Sequence, residues 1–158
     1  MNRVRPLVRG VYAITPDERS TESLIAQVSE ALAGGVRLLQ YRNKLADNIL
    51  AFEQASILRR LADEAGACLI INDDIELALA VASNGVHLGR NDGRIGGEFI
   101  DIGALRQRAQ KNVPHGMPFL VGISCYNDIN IARTAVAAGA PGAPRHRGRS
   151  ESAIPPAA

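Results

Sequence analysis

Three polar residues spaced by two, Gln40, Arg42 and Lys44, close an apolar run and form a compact group of side-chain donors. While the chain stays extended, residues two apart project to the same side, so the three converge on one spot. Arginine forks onto two oxygens and lysine adds a mobile positive charge, a combination suited to a polyanion. The competing reading is a set of rim ion pairs with nearby carboxylates, which requires no ligand. A second group is Asn72-Asp73-Asp74, where a wholly apolar run turns abruptly acidic. An aspartate at such a point either belongs to a site or caps the helix that follows. A third is His87-Leu88-Gly89-Arg90-Asn91-Asp92. Asp73 and Asp92 together can share a hard cation such as Mg2+, which takes oxygen ligands and usually keeps waters. A diphosphate held by Arg42 and Lys44 and bridged to that Mg2+ makes one coherent site.

His87, between Val86 and Leu88, reads as a packed histidine with a backbone hydrogen bond rather than a ligand or base. Ser124 ends another apolar run. Its hydroxyl suits a phosphate or a substrate amine, or else caps the next helix, although Asn127 is better placed for that cap. The glycines at 89, 93, 96 and 97 form neither a P-loop nor a dinucleotide fingerprint, because no Gly-Lys-Ser/Thr follows and the spacing differs.

These groups need elements to hold them, and the pattern alternates short β-branched runs with longer amphipathic ones, as in a parallel α/β fold. The strands are expected at 11–15, 36–42, 68–72, 85–88 and 119–124. The helices are expected from Ser20 or Thr21 to Gly34, from about Asp47 to Gly66, over 75–82, around 100–110 and over 128–138. A loop from Gly89 to Gly97 precedes the fourth helix. In parallel α/β folds the chemistry sits at the carboxyl ends of the strands, which is where all of the groups above fall. Periodicity leaves the strand order open between a run of a barrel wall and an open flavodoxin-like sheet.

Composition narrows the function classes. Of 158 residues, 46% are hydrophobic and the net charge is +2, too small to argue for nucleic acid or an anionic membrane surface. No apolar run approaches the roughly 20 residues that span a bilayer. The N-terminal arginines have no apolar stretch of signal-peptide length behind them, so a cytoplasmic location is expected. Cys68 and Cys125 are the only cysteines and read as reduced, buried thiols.

The segments Tyr12-Ala13-Ile14-Thr15-Pro16-Asp17, Ala33-Gly34-Gly35-Val36, Gln40-Tyr41-Arg42-Asn43-Lys44, Ile71-Asn72-Asp73, Gly85 to Asp92 and Gly122-Ile123-Ser124 together resemble the thiamine-phosphate synthase family. The resemblance covers roughly residues 11 to 140 and implies a TIM (β/α)8-type barrel, of which about five βα units are present. It implies that hydroxymethylpyrimidine diphosphate and thiazole phosphate condense to thiamine phosphate and pyrophosphate with Mg2+. By the same resemblance, Gln40, Arg42, Lys44 and Asn72 bind the diphosphate, Asp73 and Asp92 hold Mg2+, and Ser124 is the residue near the pyrimidine amino group. Arg90 stands where many relatives carry Gln, and Tyr41 where Leu is common.

After residue 140 the alternation stops, and four of the eight prolines fall between 141 and 156. Residues 1–140 are therefore expected to be the barrel-like part and 141–158 a disordered Pro/Arg-rich tail, as from a shortened or frame-shifted gene. The thiazole half of the family's site has no counterpart in the sequence. Open sheet edges then favour self-association. Two other functions fit the pattern: a thiazole-tautomerase-like paralogue, or a non-catalytic remnant that binds pyrophosphate–Mg2+ or a partner chain.

Overall fold

The computed structural model describes residues 10–89, 101–111 and 118–138, and the backbone of 94–95 and 98–99. The elements are β1 (Tyr12–Ile14), α1 (Thr21–Ala33), β2 (Leu38–Tyr41), α2 (Asn48–Glu64), β3 (Cys68–Asn72) and α3 (Ile75–Ala80). There follow β4 (Gly85–Leu88), β5 (Arg94–Ile95), β6 (Glu98–Phe99), α4 (Ile102–Ala109), β7 (Leu120–Ile123) and α5 (Ile129–Ala137). Five strands form one sheet in the order β1-β2-β3-β4-β7, and every neighbouring pair is parallel. The short β5 and β6 pair antiparallel; β5 falls within the stretch expected to be loop from Gly89 to Gly97, and β6 follows directly after it.

The strand order separates the two architectures that periodicity left open. A flavodoxin-like sheet reverses its order at a switch point. Here each new strand of the main sheet adds to the side on which the last one was added, as in the wall of a (β/α)8 barrel. Alternate strand residues then face two different environments. Leu39, Tyr41, Leu69, Ile71, Val86, Leu88, Val121 and Ile123 are buried in one cluster with residues from all five helices, among them Leu24, Leu58, Ala78, Leu105 and Ala135. The opposite set, Leu38, Cys68 and Ile70 with Tyr12 and Leu120, forms a smaller cluster to which, among the described residues, no helix contributes. This second face corresponds to the barrel interior.

The helices start where side-chain acceptors permit. Ser20 caps α1 through the Ser23 amide, Asp47 caps α2 through Leu50, and Asp101 caps α4 through Ala104. At α5 the cap is Asp128, which accepts from the Asn130 and Ile131 amides, rather than the expected Asn127. The helix begins one residue later than the sequence suggests, and the charged acceptor takes the cap. Gly35 adopts φ +98 after α1, and Gly66 φ +64 after α2, a region that glycine enters without steric cost. No helix among the described residues is long and apolar enough to cross a membrane. The expected boundary at 140 and the tail 141–158 lie outside the described residues.

Gly85 shows how tightly β4 and β7 approach. A Cβ there would sit 2.3 Å from the Leu120 carbonyl oxygen and 2.9 Å from its carbon, atoms of the backbone that cannot swing aside. Gly85→Ala is therefore expected to cost about 1–3 kcal/mol, read as a lower urea midpoint with an unchanged slope.

Candidate active site

The carboxyl ends of the five parallel strands form one rim, and strand register decides which side chains meet there. On the inward face Gln40 is level with Ile14 and Ile70, and Asn72 is level with His87, which is level with Gly122. The alternation argument holds for Gln40, but β2 ends at Tyr41 and Lys44 lies in a turn. The three expected donors therefore do not project from one extended strand. Gln40 is 3% exposed and its Nε2 donates to the Tyr12 hydroxyl at 2.9 Å. Its amide thus sits beneath the rim with a donor already engaged. Burial holds the Tyr12 phenol well above its usual range, so this partner stays protonated.

Arg42 and Lys44 both lean on Asp17. One Arg42 guanidinium nitrogen lies 3.5 Å from Asp17 Oδ1, with each side chain about one-third exposed, and the Lys44 amide donates to the same oxygen at 2.8 Å. The rim ion pair is present, yet it leaves the Arg42 side chain partly open to solvent. Behind this turn is a buried polar knot. The Tyr41 hydroxyl donates to Gln54 Oε1 at 2.9 Å, Asn43 Nδ2 donates to the same oxygen at 2.9 Å, and Gln54 Nε2 donates to the Glu18 carbonyl at 3.1 Å. Asn43 Nδ2 also reaches the Glu18 carbonyl. Burial pushes the Tyr41 phenol up to about 12.

At the end of β3 the two carboxylates divide their work. Asp74 is the N-cap of α3, accepting from the Leu77 amide at 2.8 Å, so capping does not consume Asp73. Asp73 holds φ +61, a left-handed conformation that aspartate and asparagine enter more readily than most residues. It is exposed, and its carboxylate accepts from Asn72 Nδ2 at 2.6 Å and from the Gly89 amide at 3.0 Å. Asn72 and Asp73 are thus tied to the start of the loop after β4. On the neighbouring strands His87 Nε2 lies 2.8 Å from Ser124 Oγ. The backbone partner expected for this imidazole is not found among the described residues. Its Nδ1 is buried without a hydrogen-bond partner there and faces Gly122, where a Cβ would approach it to 2.7 Å. Burial lowers the His87 pKa, and the nearby Asp73 charge opposes that shift only in part.

A profile described as thiamine monophosphate synthase matches residues 11–141. The chain belongs to this family. It is 46% identical over 135 residues to a thiamine-phosphate synthase of Chromobacterium violaceum, covering 85% of this chain and 59% of that protein. It is 44% identical to one of Azoarcus sp., with 84% and 58% covered. Among solved structures, a thiamine phosphate pyrophosphorylase from Pyrococcus furiosus superposes with a TM-score of 0.61 at 30% identity, covering 82% of this chain and 55% of that one. The chain therefore spans less than two thirds of the length of these relatives.

A Mg2+ requirement of the thiamine monophosphate synthase kind can be tested against the donors present. No group of three or more His, Cys, Asp or Glu among the described residues could hold a metal ion, so no all-protein cage is built from them. Asp73 is an exposed hard-oxygen donor at the strand ends, which fits the habit of Mg2+ of resting on one or two carboxylates plus phosphate and water. Asp92, the other expected ligand, lies outside the described residues, as does Arg90. Sequence reading missed Thr15, whose hydroxyl bridges to Arg42, as well as Gln54 and Gly122. Gly122 had a readable signal, since glycine inside a strand often marks a close approach.

The lowered His87 pKa carries a stability consequence in metal-free buffer. The unfolded chain binds a proton at His87 below about pH 6.5, while the folded chain resists it until lower pH. Stability is thus fully present above the unfolded pKa and falls as pH drops toward the folded one. His87→Gln is expected to flatten that part of the pH–stability curve, measured by urea unfolding between pH 7.5 and 5.

Proposed function

We propose that this chain carries the pyrimidine-diphosphate and Mg2+ half of a thiamine-phosphate synthase site, and that its reaction is the joining of hydroxymethylpyrimidine diphosphate to thiazole phosphate with release of pyrophosphate. One observation supports the reading above the others. Arg42, Lys44, Asn72, Asp73 and Ser124 close or directly follow strands β2, β3 and β7 of one sequential parallel sheet, all at the carboxyl ends, which supports a shared site.

In the proposed reaction the C–O bond to the diphosphate breaks, and the thiazole nitrogen captures the pyrimidine cation left behind. Such a step needs charge neutralised on the leaving group more than it needs a strong base. Arg42 and Lys44 take the diphosphate oxygens, and Asn72 adds a neutral donor beside them. Mg2+, held by Asp73 and Asp92, would supply further neutralisation of the departing pyrophosphate. Gln40, its Nε2 engaged by Tyr12, offers its remaining amide capacity to the same substrate. Ser124 Oγ receives the pyrimidine amino hydrogens, with the imidazole of His87 fixing the hydroxyl. A cytoplasmic location, and self-association through the edge strands β1 and β7, belong to the same proposal.

The test is formation of thiamine phosphate by the purified chain given both substrates and Mg2+, beside a full-length family member as control. Product above background supports the proposal, and no product with an active control overturns it. In an active preparation, Arg42→Ala is expected to lower kcat by about a hundredfold, the scale for losing one donor to developing charge. Asp73→Asn keeps the left-handed backbone and is expected to raise the Mg2+ concentration needed for half-maximal rate.

A further inference from the structure

The segment Tyr12 to Asp17 recurs in the family resemblance without a role in the chemistry, and its geometry supplies one. The Thr15 amide donates to the Gln40 carbonyl at 2.9 Å, the last main-chain bond that β1 makes to β2. The next residue is Pro16, which has no N–H to continue the ladder. The Thr15 hydroxyl substitutes for what the main chain no longer offers. It accepts from the Arg42 amide at 2.9 Å and donates to the Arg42 carbonyl at 2.8 Å. A single side-chain oxygen thus grips both polar groups of one residue, and Thr15 is only 5% exposed. Nothing in this arrangement depends on an amide flip or a tautomer, because a backbone N–H only donates and a carbonyl only accepts.

We propose that Thr15 is a positioning residue that holds the Arg42 backbone at the strand end while its guanidinium is free to move between Asp17 and a bound diphosphate. The inference rests on the diphosphate role proposed above for Arg42. Asp17, two residues on, receives the same guanidinium at 3.5 Å and the Lys44 amide at 2.8 Å. Its carboxylate parks the arginine in the absence of ligand and anchors the turn that carries Lys44. A bound diphosphate competes with Asp17 for the guanidinium. With the Arg42 backbone fixed, only side-chain torsions change, and the ordering of the main chain is complete before binding.

The proposal is tested with the full chain, using inorganic pyrophosphate with Mg2+ as the probe and calorimetry as the readout. Thr15→Val keeps the side-chain shape and removes the hydroxyl; Thr15→Ser restores it. The expected result is a roughly tenfold loss of affinity in Thr15→Val, the equivalent of about one hydrogen bond's contribution, and affinity within about twofold of the parent in Thr15→Ser. Orphaned backbone groups also destabilise, so melting temperature is recorded for each variant. Thr15→Ala, which leaves room for a water, is the second variant should Thr15→Val not fold. A ligand-independent readout is hydrogen exchange at the Arg42 amide, expected to be protected in the parent and Thr15→Ser and released in Thr15→Val or Thr15→Ala. Folded Thr15→Val or Thr15→Ala with parental affinity overturns the assignment of Thr15 alone. So does an Arg42 amide that exchanges equally fast in all forms. A parent chain that shows the protected amide but no affinity for Mg2+–pyrophosphate overturns the diphosphate reading and, with it, the positioning role.

Discussion

Parallel pairing in sequential order gathers five carboxyl-terminal strand ends along one rim, and each feature of the candidate site descends from that constraint. The register β1-β2-β3-β4-β7 sets Gln40 between Ile14 and Ile70, and His87 between Asn72 and Gly122. A one-residue slip in any pair would send its polar side chains into the helix-covered cluster of Leu39, Leu69, Val86 and Val121. Burying those polar groups unpaired costs more than the few hydrogen bonds at the rim return. The apolar outer face therefore enforces the placement of the inner polar one.

Within that frame the polar residues are tied to one another rather than left free. Thr15 grips Arg42, Asp17 holds Lys44, Asn72 and Gly89 hold Asp73, and His87 holds Ser124. Apart from the bond between neighbours Asn72 and Asp73, each tie crosses between consecutive βα units of the sheet. A site assembled in this way is preorganised by the connections between strands more than by any one strand.

The elements were largely legible in the sequence, because β3 and β4 are short apolar runs with polar or glycine punctuation at both ends. The start of α2 was legible at Asp47, which caps it. Where two candidates adjoin, local backbone conformation decides, and sequence does not report it: Asp128 outcompetes Asn127, and Asp74 caps while Asp73 turns left-handed. The strand order was not legible, since hydrophobic periodicity is the same in a barrel wall and an open sheet. Nor was the contact between His87 and Ser124. It depends on the pairing of β4 with β7 across an intervening ribbon and helix, a long-range fact that no local pattern contains. The donor character of Gln40 was readable, but its engagement by Tyr12 was not.

The buried knot behind the Lys44 turn bears on how such a sequence can change over time. The Tyr41 hydroxyl ends on Gln54, which is 1% exposed and also meets Asn43 and the Glu18 carbonyl. A tyrosine here without a polar partner at position 54 would bury an unsatisfied hydroxyl. An apolar residue at 54 would at once strand Tyr41 and leave Asn43 with one partner fewer. Positions 41 and 54 are thus free to drift only as a pair, and an exchange at one of them is tolerated or rejected according to what the other already holds.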